Sequence, residues 1–154
     1  MNSQTLPVPG KERTRRKRKS VSIPPRRDSK IEIKAGSLQN LIERSLKGMA
    51  HKLKRGACST SSHSDCTMKI QIEAEDSKTL LTDFLSRVLE LTHTQHTIFG
   101  TMYVEEITEE KITAQLYGNW FDSFDNEIRS VVRSGTTLKR NEDGSYDGSI
   151  VFSI

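Results

Sequence analysis

From Lys30 to Ala35 the chain reads Lys-Ile-Glu-Ile-Lys-Ala, polar and apolar in strict alternation, the two-residue period of a strand with one buried face. Gly36 closes this run and Ser37 is suited to cap a helix. Leu38, Leu41, Ile42, Leu46, Met49 and Leu53 then recur at helical spacing, with Glu43, Arg44, Lys47 and His51 outside that stripe and Lys52, Lys54 and Arg55 in the last turn. After a polar stretch from Gly56 to Cys66, alternation returns at Met68, Ile70 and Ile72. Asp76 or Ser77 caps a second helix with a wide stripe of Leu80, Leu81, Phe84, Leu85, Val88, Leu89 and Leu91, which predicts burial over much of its surface. Thr97 to Thr108 and Lys111 to Tyr117 read as strands joined by a turn, and Gly118 to Asn126 as a loop. Glu127 to Lys139 reads as a further strand, Asn141-Glu-Asp-Gly144 as a hairpin turn and Tyr146 to Ile154 as the last strand. The expected fold is α+β, in the order β-α-β-α-β-β-β-β.

Charge divides the 154 residues into two parts. The net charge of +4 conceals nine basic residues and one acid in residues 1–27, followed by 15 basic and 19 acidic residues in 28–154. A disordered basic tail over 1–27 is expected from its prolines, its charge density and its lack of apolar residues, with a folded domain over 28–154. Lys11, Arg13, Arg15, Arg16, Lys17, Arg18 and Lys19 form the densest block and are the expected nucleic-acid contacts; a solvated tail and a nuclear-import signal are the other readings of the block. No aromatic residue interleaves with it, so such contacts are blind to base sequence. No apolar run reaches the roughly 18 residues of a membrane span, and the first ten residues lack the apolar segment of a secretion signal. A cytoplasmic protein is expected, nuclear if the tail is an import signal, with no membrane partner.

Few residues offer reactive chemistry. Cys58, His63 and Cys66, with His51, do not follow zinc-ligand spacing, and two cysteines make no disulfide framework, so free thiols in a polar loop are expected. His93 and His96 read as polar residues at the end of the second helix, and Glu105, Glu106, Glu109 and Glu110 as a solvated rim around a turn. No nucleophile elbow, phosphate-binding glycine loop or dinucleotide fingerprint is present, and no enzymatic activity is expected.

The run Glu75-Asp76-Ser-Lys-Thr-Leu80-Leu81-Thr-Asp83-Phe84-Leu85, with Leu89, Thr94 and Phe99 beyond it, resembles the central segment of the archease family. Ile31-Glu32-Ile33, Ser37-Leu38 and Met49 resemble the family's opening strand and helix, and Gly118 and Glu127-Ile-Arg-Ser-Val131 its later glycine and strand. Ile150-Val-Phe-Ser-Ile154 lies where the family ends in an acidic terminus. The resemblance, over residues 28–154, implies a three-layer sandwich with two helices between β-sheets. It also implies a role as accessory to the GTP-dependent RNA ligase of tRNA splicing and RNA repair, promoting its guanylylation and turnover.

The same resemblance implies a calcium-like divalent cation held by acids before the first strand and at the C-terminus. Carried onto this chain, the metal positions fall on Asp28, Ser153 and Ile154, whose terminal carboxylate is an oxygen donor, and the partner-activating lysine falls on Arg129. The rest of the first acidic motif falls on Pro24-Pro25-Arg26-Arg27, and the threonine and histidine that follow the lysine fall on Val132 and Ser134. The alternative reading is a non-catalytic nucleic-acid or ribonucleoprotein adaptor on an archease scaffold whose metal site has eroded. An independent metal hydrolase ranks below both.

Overall fold

The computed structural model describes residues 28–55 and 64–154. The basic block Lys11–Lys19, Cys58 and His63 lie outside the described residues. Eight elements follow in the expected order: β1 (Asp28–Ala35), α1 (Leu38–Leu53), β2 (Cys66–Glu73), α2 (Ser77–Gln95), β3 (Thr97–Ile107), β4 (Lys111–Trp120), β5 (Ser130–Arg140) and β6 (Tyr146–Ser153).

Both helices start where their capping side chains are. The Ser37 Oγ accepts the Asn40 N–H at 3.1 Å, and the Asp76 carboxylate accepts the Thr79 N–H at 2.7 Å. The backbone bond from Thr79, joined by the Thr79 hydroxyl, holds the Asp76 carboxyl below the usual carboxylate range. α2 stops at His96, which adopts the left-handed conformation with φ 51° and returns its N–H to the Thr92 carbonyl.

The strands form two antiparallel three-stranded sheets, β1-β6-β5 and β2-β4-β3. α1 packs on β3 and β1, and α2 on β5 and all three strands of the other sheet, so both helices lie between the sheets. Leu41, Ile42, Leu46 and Met49 of α1 meet Leu81, Phe84, Leu85 and Val88 of α2 in one core, closed by Ile112 and Leu116 on one side and Ile150 and Phe152 on the other. Each such side chain stabilises the fold by about 1.5–3 kcal/mol relative to exposure. The width of the α2 stripe has this origin, for the helix touches both sheets.

β1 begins two residues early, at Asp28, and β2 takes in Cys66, expected to be loop; two further boundaries differ from the sequence reading by three residues. β4 continues through Gly118, Asn119 and Trp120, expected to be loop, because Asp65 receives the Trp120 N–H at 3.1 Å and the bare Gly118 lets β3 lie against it. β5 begins at Ser130 and not at Glu127; Ile128 is wholly buried but stands outside the ladder. The acidic rim is as expected, although three of its members have partners: Glu105 with Lys69, Glu106 with Lys111 and Glu109 with Arg140.

Candidate functional site

Three strand ends meet at one corner of the β1-β6-β5 sheet. Asp28 opens β1 and stands opposite Ser153 of β6, while Ser153 stands opposite Ser130 of β5 on its other side. Facing residues of antiparallel strands are about 4.5–5.5 Å apart at Cα. The Arg129 N–H donates to the Ser153 carbonyl at 2.7 Å. Residues from three distant parts of the chain therefore become neighbours: Asp28, Arg129 and the Ser153–Ile154 terminus. Asp28 and Arg129 are exposed, Ile154 is half-buried, and Ser153 is 5% exposed.

Arg129 is held by the segment that precedes it. His93 of α2 places Nε2 3.0 Å from the Ile128 carbonyl, and since a carbonyl only accepts, that nitrogen carries the proton. The His93 ring meets Phe124 edge to face with centroids 6.0 Å apart. Asp125 donates its N–H to the Leu53 carbonyl at 2.7 Å and accepts the Arg55 N–H on Oδ2 at 2.9 Å, and the Asn126 amide donates to the Lys52 carbonyl at 3.0 Å. Lys54 lies 5.6 Å above the Phe121 ring. The ends of both helices thus fix residues 121–128 and deliver Arg129 to the sheet corner. Beside it lies a depression of about 160 Å³ lined by Ser86, Glu90, His93 and Ser130.

The sequence reading placed Asp28, Ser153, Ile154 and Arg129 in the site, and the fold brings them together. Val132 is half-buried on β5 opposite Val151, and Ser134 is exposed in the irregular stretch between Val132 and Thr137. His93 was read as a polar helix end. Its signal was its position four residues after Leu89, on the buried stripe. Cys66 opens β2 as a free thiol.

The donors at this corner do not fit a calcium-like cation, which takes six to eight oxygens and favours several carboxylates. Asp28 supplies a carboxylate, whereas Ser153 supplies a neutral hydroxyl and Arg129 a positive charge. Among the described residues, no three His, Cys, Asp or Glu side chains are placed to hold a metal ion.

A fold of two helices between two such sheets, with the first strand paired to the last, defines a class of small α+β proteins. Residues 23–154 match the family model described as "Archease protein family (MTH1598/TM1083)", and the chain belongs to that family. It is similar in structure to an archease of Thermotoga maritima described as a "possible chaperone", with a TM-score of 0.62 and 12% identity, over 87% of this chain and 98% of that one. It is also similar to protein 1598 of Methanobacterium thermoautotrophicum, with a TM-score of 0.64 and 17% identity, over 82% of this chain and 92% of that one. At such identities the two likenesses establish the fold alone. No protein of curated function matches the chain in sequence.

Proposed function

We propose that this archease is a non-catalytic accessory of a GTP-dependent RNA ligase, promoting guanylylation and turnover of the ligase in tRNA splicing or RNA repair. The cytoplasm is its proposed place of action, or the nucleus where the basic tail serves as an import signal. The observation that carries this reading is the corner where Asp28, Arg129 and Ser153 meet, the positions that the family resemblance marks for metal and partner contact. The exposed Arg129 presents a planar, permanently charged guanidinium suited to a carboxylate or phosphate of a partner. The backbone around it is fastened by His93 and Ser153, so little ordering is needed on docking. No step is routed through a divalent cation, since the donor set does not fit one.

The test is single-turnover guanylylation of the cognate ligase with GTP, with and without this protein. A rate increase that disappears in Asp28→Ala and Arg129→Ala, both still folded, supports the reading. An unchanged rate with a folded protein and an active ligase overturns it and leaves the adaptor alternative.

A further inference from the structure

A hollow of about 850 Å³ lies away from the sheet corner, between β1 and α1. Its floor is Ile31 and Ile33 of β1 beneath Gly48 of α1. A Cβ on Gly48 would come 2.8 Å from the Ile31 Cδ1, so the glycine sets how closely the helix approaches the strand. The helix wall carries Lys47, His51 and Lys52, and Arg55 joins the lining from just beyond the helix end. Positions 47 and 51 lie four residues apart, about 6 Å along the helix.

Charge is distributed unevenly across the described residues. Residues 28–55 hold seven Lys and Arg against three acids, and residues 64–154 hold eight against sixteen. In the second group five of the eight cations pair with a carboxylate: Lys69, Arg87, Lys111, Arg133 and Arg140. Lys52 and Arg55 have no carboxylate at ion-pair distance among the described residues. The acids lining the hollow are Glu32 and Asp125, and Asp125 already accepts the Arg55 N–H. The cations of the acidic part are largely neutralised within the fold, whereas the half-buried Lys52 and the exposed Arg55 have no such carboxylate among the described residues.

We infer that the hollow between β1 and α1 is a binding groove for the phosphate backbone of RNA, with Lys52 and Arg55 as its principal contacts. Nucleic acid is favoured over an acidic protein by what enters the groove in sequence. Seven cations within residues 11–19 precede β1, the groove's other wall, in the sequence, a second block of positive charge on the same chain. Binding of this kind reads charge and not base sequence, because no Phe, Tyr or Trp is among the groove's lining residues to form a stacking platform. The inference adds a second ligand to the ligase reading. RNA affinity is measured without ligase, so failure of one is distinguishable from failure of the other.

The experiment is fluorescence anisotropy of a dye-labelled single-stranded oligouridylate titrated with the full chain over a series of salt concentrations. The double variant Lys52→Gln/Arg55→Gln is expected to weaken binding about tenfold at low salt. Its slope of log affinity against log salt should be shallower by about 1.4, two single-strand phosphate contacts at about 0.7 each. Glu32→Gln is expected to tighten binding a few-fold. The control Lys69→Gln/Lys111→Gln makes the same change in net charge on the other sheet and should leave affinity within about twofold. Unchanged affinity and slope in the groove variant, with melting temperature retained, overturns the inference. So does equal weakening by the control, which would assign the effect to net charge. Binding of polyglutamate in preference to the oligouridylate, lost in the groove variant, would reassign the groove to an acidic protein.

Discussion

The β2-β4-β3 sheet and the β1-β6-β5 sheet press on the same two helices but are assembled differently. In the first, β3 and β4 are consecutive and joined by a tight turn, with ion pairs Lys69–Glu105 at 3.3 Å and Lys111–Glu106 at 3.5 Å. In the second, the central strand comes last among the eight elements and pairs with the first, so Asp28 faces Ser153. β5 slips out of register between Val132 and Thr137, where the Thr136 hydroxyl donates to the Val132 carbonyl at 2.9 Å. Each sheet contains one hairpin, β3-β4 or β5-β6, and β3 also breaks register against β4, but only the sheet that pairs the first strand with the last places residues 28, 129 and 153 side by side. The comparison predicts that substitutions in the first sheet act on stability, and those at the corner of the second act on function.

Gly118→Ala tests the first half of this contrast with the largest effect. An added Cβ would lie 2.6 Å from Thr97 Cγ2, 2.7 Å from the Ile98 carbonyl oxygen and 2.8 Å from Phe99 Cδ1. A backbone atom among these neighbours cannot swing aside, and a loss of about 3 kcal/mol is expected in urea unfolding. Ser153→Asp joins stability to function. It places a carboxylate at a position 5% exposed and opposite Asp28, and should cost about 2–3 kcal/mol in chelator. Recovery of the melting temperature on adding calcium would show that one acid separates this corner from a cation site; no recovery would mean that the missing first motif matters as much. Arg129→Ala removes an exposed side chain and should change stability by less than about 0.5 kcal/mol while abolishing ligase stimulation. If stability falls sharply as well, the contrast between the sheets is too simple.

The smallest effect is a pH dependence at the start of α2. The Asp76 carboxyl is held below its ordinary range by the Thr79 N–H first and the Thr79 hydroxyl second. A lowered folded-state value means that its contribution is fully present above the unfolded value, near pH 4, and is lost as pH falls through the folded one. Asp76→Asn should therefore flatten the stability profile only in that acid window, as read by thermal melts. A change near neutrality would assign Asp76 to something other than the helix cap.

Much of the fold was legible because one buried face imposes a period. The spacing from Leu38 to Leu53 gave α1 from end to end, and Ile31 and Ile33 marked the inner face of β1. Gly118–Trp120 was misread because a glycine beside polar residues looks like a turn, whereas its cause is contact with β3 and the distant Asp65. Periodicity also says nothing about which strands pair, so the approach of Asp28 to Ser153 was carried by the family resemblance and not by the pattern itself. His93 was read as a polar helix end for a related reason. Its partner is the Ile128 carbonyl, thirty-five positions away, and no local pattern announces a backbone acceptor.

The pairing of β1 with β6 also sets a timetable. A ribosome adds about 5–20 residues per second, so β1 emerges roughly 6–24 s before the strand that will satisfy its backbone. During that interval Ile31 and Ile33 are without their sheet, and the alternating Lys30, Glu32 and Lys34 act as gatekeepers against pairing with a neighbouring nascent chain. The other sheet is complete once Trp120 has been made. It gives α1 and α2 a surface to settle on while the corner of Asp28, Arg129 and Ser153 waits for the last strand, and removing β6 would leave β1 permanently in its nascent condition.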